Sequence, residues 1–369
     1  MIKYSQHKPA SDDARILQRR RWQLGWVTQK DRPALPEAAV VAEAWSADVS
    51  VMLPGVIPLA PLLKDIDRAR DLMEQALNGA ELADIFEDAD HLENMRAFPL
   101  VGVSSEDHDD QGLEKVYFDA ERLGQDRGEL LAEGLWCKAS WLSFCDDDPS
   151  VRFRFSFGME GFEDVAADPV SQHWAGELCE AVFPESRAIT QNPLILEQLR
   201  HLLGGEPAFV ERIVYFNAPN GGAQMHHDVE RGHDGVVFAQ LSGSTFWLAL
   251  SKPRLIDELT AFVGDPAHAA AVAAVVPEAE DREKLAALVA DRAALSEYME
   301  EPDHELVEAV MDRSPDFIGY LVERGYAHVL EAGDVLLMPQ RDLDNCVWHC
   351  VFCLGDEAGE GLSFAVRPA

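Results

Sequence analysis

Met225-His226-His227-Asp228, taken together with Val347-Trp348-His349 far downstream, is the stretch that decides how this chain is built. Residues i and i+2 of a β-strand project from one face, so His226 and Asp228 are expected to point together into a barrel while His227 points away. His349 follows the strand-like run Gly333-Asp334-Val335-Leu336-Leu337-Met338-Pro339 and supplies a third donor. Two imidazoles and one carboxylate on one face of an octahedron suit Fe(II) and leave positions open for a cosubstrate and O2. The expected metal-binding and catalytic set is therefore His226, Asp228 and His349.

The other histidines lack this company. His201, His268, His304 and His328 have no partner at metal-ligand spacing, and the adjacent His233-Asp234 face opposite ways on a strand. No H-E-x-x-H zinc motif occurs. Of the six cysteines, Cys137, Cys145, Cys179, Cys346, Cys350 and Cys353, the last two form a C-x-x-C. Positions i and i+3 of a strand face opposite sides and no second cysteine pair completes a zinc site, so buried, reduced thiols are expected.

Around the histidine segment, Glu211 to Asn217 reads as a strand closed by the turn Pro219-Asn220-Gly221-Gly222. Val236 to Leu250 reads as two strands parted at Ser242-Gly243-Ser244, and Ala327 to Pro339 resumes strand character. Between them an Ala- and Glu-rich helical insertion covers about residues 253–326, a long connection expected to act as a lid or substrate wall. Upstream, Val151, Phe153, Phe155 and Phe157 alternate with Arg152, Arg154 and Ser156, which predicts a strand with one buried face. Helices are predicted over Ser171 to Val182 and after Asn192, an N-cap followed by Pro193.

Residues 1–130 mix helical patterns, including a helix over Leu59 to Leu77, with acidic loops such as Ser104 to Asp110; a similar loop runs from Asp146 to Pro149. They are read as an N-terminal region packed on a core domain of residues 131–369. At 369 residues the chain can bury a large core. Its 66 acidic against 31 basic residues give a net charge of -35, which repels phosphate backbones and anionic membranes. Neither nucleic acid nor a membrane is an expected partner. Arg19-Arg20-Arg21, the only basic run, is expected on a solvated helix face or charged tail. No signal-peptide core and no apolar run near the roughly 18 residues of a membrane span occur, so a cytoplasmic location is expected.

Several motifs then agree in order and spacing. Pro219-Asn220-Gly221-Gly222 running into His226-His227-Asp228, the strand Gln240-Leu241-Ser242-Gly243-Ser244-Thr245-Phe246-Trp247-Leu248, and Gly333 to Pro339 followed by His349-Cys350-Val351 resemble the JmjC and cupin-like Fe(II)/2-oxoglutarate oxygenases. The terminal Ser363 to Pro368 resembles the last core strand of the bacterial ribosomal-oxygenase branch. The resemblance covers roughly residues 205–369. It implies an α+β chain with a double-stranded β-helix (jelly-roll) core, and hydroxylation of a C–H bond with Fe(II), 2-oxoglutarate and O2.

Where that family places a basic residue for the distal carboxylate of 2-oxoglutarate, this chain has Thr245, so a cation from another strand is required. Arg367 is the first candidate, with Lys252, Arg154 and Arg212 behind it; Tyr215, Asn217, Thr245 and Ser363 offer neutral hydrogen bonds. Trp247 and Trp348 are expected in the core or pocket wall, and Arg341 and Asp342 near the mouth. The chain ends at Ala369 without the C-terminal portion of ribosomal oxygenases, so their ribosomal-protein substrates are not carried over. The expected substrate is an amino-acid or peptide side chain or a small metabolite. Two other readings stand beside this one: a cupin-type dioxygenase or isomerase that needs no 2-oxoglutarate, and a non-catalytic barrel that binds a ligand or partner. Oligomeric state is not legible.

Overall fold

Val236 to Leu250 folds as read, and it shows how the core is built. Gly243 turns the chain at φ +68°, and a Cβ there would meet the Cα of Gly359 at 2.8 Å, so glycine is required. On the strand that follows, Phe246, Leu248 and Leu250 pack into one apolar cluster, while Trp247 and Ala249 pack into another on the opposite face. Both faces are covered. That is why the segment is almost continuously apolar rather than alternating.

The computed structural model describes residues 1–87, 100–106, 114–123, 128–142, 148–158, 168–229 and 232–369. In chain order the strands of the described residues are β1 (Ile2–Ser5), β2 (Arg15–Arg19), β3 (Trp22–Gln29), β4 (Val51–Leu53), β5 (Leu100–Glu106), β6 (Lys115–Leu123), β7 (Gly128–Trp141) and β8 (Val151–Phe157). They continue with β9 (Pro207–Asn217), β10 (Gly235–Gln240), β11 (Ser244–Ser251), β12 (Ala327–Glu331), β13 (Val335–Pro339), β14 (Val347–Cys353) and β15 (Gly359–Pro368). A nine-stranded antiparallel sheet has the order β4-β13-β10-β15-β9-β8-β7-β6-β5. A three-stranded antiparallel sheet, β12-β11-β14, packs on its inner face. Phe238, Leu336 and Met338 of the large sheet meet Trp247, Leu330 and Val351 of the small one.

Helices close the outer faces. Pro169–Val182 and Pro193–Leu203 join the cluster behind the large sheet. The second begins at the cap that was read, Asn192 accepting from the Leu194 and Ile195 amides; the first begins two residues before the expected Ser171, at a cap formed by Asp168, which accepts from the Val170 and Ser171 amides. The insertion forms six helices, from Lys252–Gly264 to Pro315–Glu323, over the outer face of the small sheet. Its apolar side chains join those of Leu17, Leu24 and Val27 from a third sheet, β1-β3-β2.

The N-terminal region differs from its reading. It contributes this third sheet, the edge strand β4 beside β13, and strands β5 and β6, besides the helices Ala38–Ser46, Leu63–Leu77 and Leu82–Glu87. Strands β1, β2 and β4 are too short, at 4, 5 and 3 residues, for a period of two to mark them. The boundary read near residue 130 falls within β7, which belongs to the same sheet as the core strands. Arg19-Arg20-Arg21 is no helix face or tail: it is the tip of the β2–β3 hairpin, with Arg19 only 3% exposed. Cys137, Cys179, Cys346, Cys350 and Cys353 are free and buried as expected; Cys145 lies outside the described residues, as do residues 107–110 and 146–147 of the two acidic loops.

Candidate metal centre

The turn that resembled a glycine-rich entry brings the chain hard against β14. Asn220 takes φ +65°, and at Gly222, φ +128°, a Cβ would come within 2.1 Å of the Val351 carbonyl oxygen. Only glycine permits that approach. The segment beyond is irregular rather than the expected strand. His226 and His349 exchange backbone hydrogen bonds of 3.0 and 2.7 Å as an isolated bridge, the Val351 amide donates to the Ala223 carbonyl (2.9 Å), and Asp228 follows in irregular backbone. His226 and Asp228 are thus brought together by a geometry other than the i, i+2 alternation of a strand. His227 does point away, to the Glu300 carboxylate at 2.9 Å.

One donor atom from each of His226, Asp228 and His349 lies within 4.8 Å of the other two. His226 Nε2 is 3.4 Å from Asp228 Oδ1, and His349 Nε2 is 3.5 Å from Asp228 Oδ2. These separations approach the ~3 Å between neighbouring donors around a metal with bonds of about 2.1 Å, so the residues fit one ion. His226 Nδ1 lies 2.7 Å from the Gln224 carbonyl oxygen, which fixes the proton on Nδ1 and leaves Nε2 to ligate. Trp247 stacks on the His349 ring with centroids 5.3 Å apart. The side chains of His226 and Asp228 are 41% and 33% accessible and face the cavity, whereas His349 at 3% forms its back wall.

Electrostatics prepares the donors. Burial pushes the His349 imidazole down to about 4, aided by the neighbouring His226, so its lone pair is free at neutral pH. Burial opposes ionisation of Asp228 as well, but the imidazoles of His349 and His226 outweigh it and hold the carboxyl well below its ordinary range. For His226 burial is outweighed by the hydrogen bond and charge of Asp228, which raise it. Tyr215 is raised by burial and by the Asp228 charge and remains a phenol, a hydrogen-bond donor.

A cavity of about 320 Å³ opens on the triad. Tyr215, Asn217 and Ser363 line it as expected, together with Trp247. Arg367 and Thr245 do not; Thr245 is 1% exposed, its hydroxyl donating to Gln240 Oε1 and accepting from Trp247 Nε1. The fallback cations are committed elsewhere: Lys252 to Glu300 (2.6 Å), Arg154 to Glu211, and Arg212 to Glu180 (3.2 Å). Arg341 pairs with Asp48, Asp342 caps the turn at Asn345, and neither lines the cavity. No residue of the insertion, expected as a lid or substrate wall, lines it either; the insertion packs on the outer face of the small sheet instead.

Two arginines that the sequence reading passed over do line the cavity, Arg152 and Arg20. Arg152 sits opposite Tyr215 on β8, its Nε donating to Ser140 Oγ (3.1 Å) with no carboxylate partner among the described residues. Its signal was present: it lies on the polar face of the strand read as the start of the barrel. Arg20, held at φ +53° by the hairpin, approaches Asp148 at 3.6 Å, and nothing in its local sequence marks it as a site residue.

No protein-family model and no curated protein matches this chain. Among solved structures it is similar to a 2OG-Fe(II) oxygenase family oxidoreductase from Burkholderia pseudomallei, at 10% identity and TM-score 0.31 over 91% of this chain and 93% of that one. It is similar also to the Escherichia coli ribosomal oxygenase YcfD (14%, TM-score 0.23, over 76% of this chain and 44% of that one). A third is a Pseudomonas putida prolyl-4-hydroxylase (9%, TM-score 0.28, over 90% of this chain and all of that one). The chain spans about half the length of the ribosomal oxygenase chains it matches. No helix among the described residues is long and apolar enough to cross a membrane.

Proposed function

We propose that this protein is an Fe(II)- and 2-oxoglutarate-dependent oxygenase that hydroxylates a C–H bond of an amino-acid or peptide side chain or a small metabolite, on a jelly-roll core formed by the two facing sheets. One observation carries the reading: His226, Asp228 and His349 open into a cavity that also holds Arg152, which has no carboxylate partner among the described residues. In a chain of net charge -35, a cavity with two arginines is suited to an anion.

Iron, when bound, supplies the activation of O2 and the oxidising power. The chain's residues do the rest. His226, Asp228 and His349 would hold the metal, with the cavity beside them to admit the cosubstrate and substrate. Arg152, in place of the expected Arg367, is the partner for the distal carboxylate of 2-oxoglutarate, a charge-assisted and potentially bidentate contact. Tyr215, Asn217 and Ser363 add neutral hydrogen bonds, and Phe238, Met338 and Val351 keep the wall apolar and exclude water. No side-chain nucleophile is needed.

The reading is tested by loading the protein with Fe(II) and 2-oxoglutarate and measuring succinate after O2 is admitted. Succinate formed in wild type and lost in His349→Ala is the expected result. Iron bound without succinate would favour a metalloenzyme that needs no 2-oxoglutarate, for which Thr245, tied to Gln240 and Trp247, is the supporting observation. Partner binding at full affinity by metal-free protein would favour the non-catalytic barrel.

A further inference from the structure

The segment 223–229, which carries two of the three donors, is gripped from outside the core. Arg19 Nη1 donates to the Ala223 carbonyl (2.7 Å), and Arg19 Nη2 reaches Asp312 Oδ1 at 2.6 Å. The same Asp312 oxygen accepts from the Met225 amide (2.9 Å). One helical turn earlier, Glu308 accepts from Gln224 Nε2 (2.9 Å), and the Gln224 carbonyl orients His226 through Nδ1. On the far side of His226, Glu300 takes His227 at 2.9 Å and is itself held by Lys252 at 2.6 Å. Asp312, Glu308 and Glu300 all belong to the insertion, and Arg19 belongs to the N-terminal hairpin.

The ion pair at the centre is almost dry, with Arg19 and Asp312 side chains 4% and 2% exposed. Burying two charges costs more than packing apolar residues of the same volume, so such a pair is poor evidence of a stabilising role; its best-attested use is to specify one arrangement. Here the arrangement it specifies is the backbone of Ala223 and Met225, immediately before the first metal donor. We propose that Arg19 and Asp312, seconded by Glu308, are positioning residues that set His226 and Asp228 for the metal, so that the helical insertion governs metal affinity without providing a ligand or touching the cavity. Substitution of residues that orient ligands weakens metal binding by about 10–100-fold, the size of effect expected here. The proposal rests on the reading of His226, Asp228 and His349 as a metal site, and that reading is tested first by the wild-type chain.

The experiment is a titration of the full chain with Co(II), following visible absorption, which reports both affinity and coordination geometry. Wild type, Asp312→Ala, Asp312→Asn, Glu308→Ala and the control Arg292→Ala, in an exposed ion pair elsewhere on the insertion, are compared. Asp312→Ala is expected to bind about 10–100-fold more weakly with an altered spectrum. Asp312→Asn, which keeps an acceptor for the Met225 amide, recovers part of the affinity, and Arg292→Ala matches wild type. Wild-type affinity and spectrum in folded Asp312→Ala would overturn the proposal. If Asp312→Ala does not fold, Glu308→Ala decides: about 10-fold weaker binding supports the grip and unchanged binding overturns it. Failure of wild type to bind Co(II) would instead remove the metal site itself, and the proposal with it.

Discussion

His226 and His349 face each other across a single backbone bridge, yet they are held by opposite means. His349 sits on β14, a fully buried strand paired with β11 over seven successive residues, and its neighbours Phe352, Trp348 and Cys350 pack into the cluster beneath the insertion. His226 and Asp228 sit on irregular backbone, and just before them the Ala223 carbonyl and the Met225 amide are taken up by Arg19 of the hairpin and Asp312 of the insertion. One donor is placed by repeating backbone geometry and apolar packing, the other two by specific charged side chains. Stability and metal binding should therefore respond differently to changes in the two regions.

The largest effect should ignore the difference. His226→Ala and His349→Ala are each expected to lower Fe(II) or Co(II) affinity by more than about 100-fold, beyond the range of residues that only orient ligands. Calorimetric titration checks this, and a variant that binds as wild type would remove that histidine from the site. The next effect separates the regions. Phe246→Ala, in the ladder on β11, is expected to lower unfolding free energy in urea by about 3–5 kcal/mol while the folded protein keeps its metal affinity to within a few-fold. If its metal affinity fell as far as that of Asp312→Ala, the two regions would not be independent.

A smaller effect lies on the cavity wall between them. Arg152→Ala is expected to weaken 2-oxoglutarate by about 10–100-fold, the loss of a hydrogen bond to a charged group worth about 1.5–3 kcal/mol, whereas Arg367→Ala leaves it unchanged. The reverse order would restore the expectation drawn from sequence.

The smallest effect belongs to neither region. Glu185 and Glu360 lie buried against each other, and burial pushes both carboxyls up from their ordinary value of 4.5. Their raised folded pKa means that the native state keeps protons the unfolded chain has released. Stability from this pair is present at and below the ordinary carboxylate range and is lost as the pH rises above it. Glu360→Gln should flatten the decline of the urea midpoint with rising pH and leave Co(II) affinity unchanged; an unaltered slope would assign the pH dependence elsewhere.

What was legible in the sequence follows the same division. The strands β8, β10, β11 and β13 and the helix after Asn192 are written in the alternation of β8, in continuous apolar runs, in Gly243 and in a cap residue, all local signals. His226, Asp228 and His349 were legible because their residue types and spacing carry the chemistry, although the strand that was expected to align them is not there. The grip of Asp312 and Arg19 was not legible, because residues 293 positions apart meet only after the insertion has packed on the small sheet. Arg152 was visible as one arginine of an alternating strand, but its purpose depends on which neighbour, Tyr215, pairs with it. Arg20 had no local signal at all, since a hairpin read as a charged tail gives no reason to place its tip in a cavity.

The most direct test of the central claim is an anaerobic titration of Fe(II)-loaded protein with 2-oxoglutarate, following the visible charge-transfer band of an iron-chelated 2-oxoacid, in wild type and in Arg152→Ala. A saturable band in wild type, shifted to about 10–100-fold higher concentration in Arg152→Ala, is the expected result. Iron bound stoichiometrically with no band at any concentration of 2-oxoglutarate would contradict it.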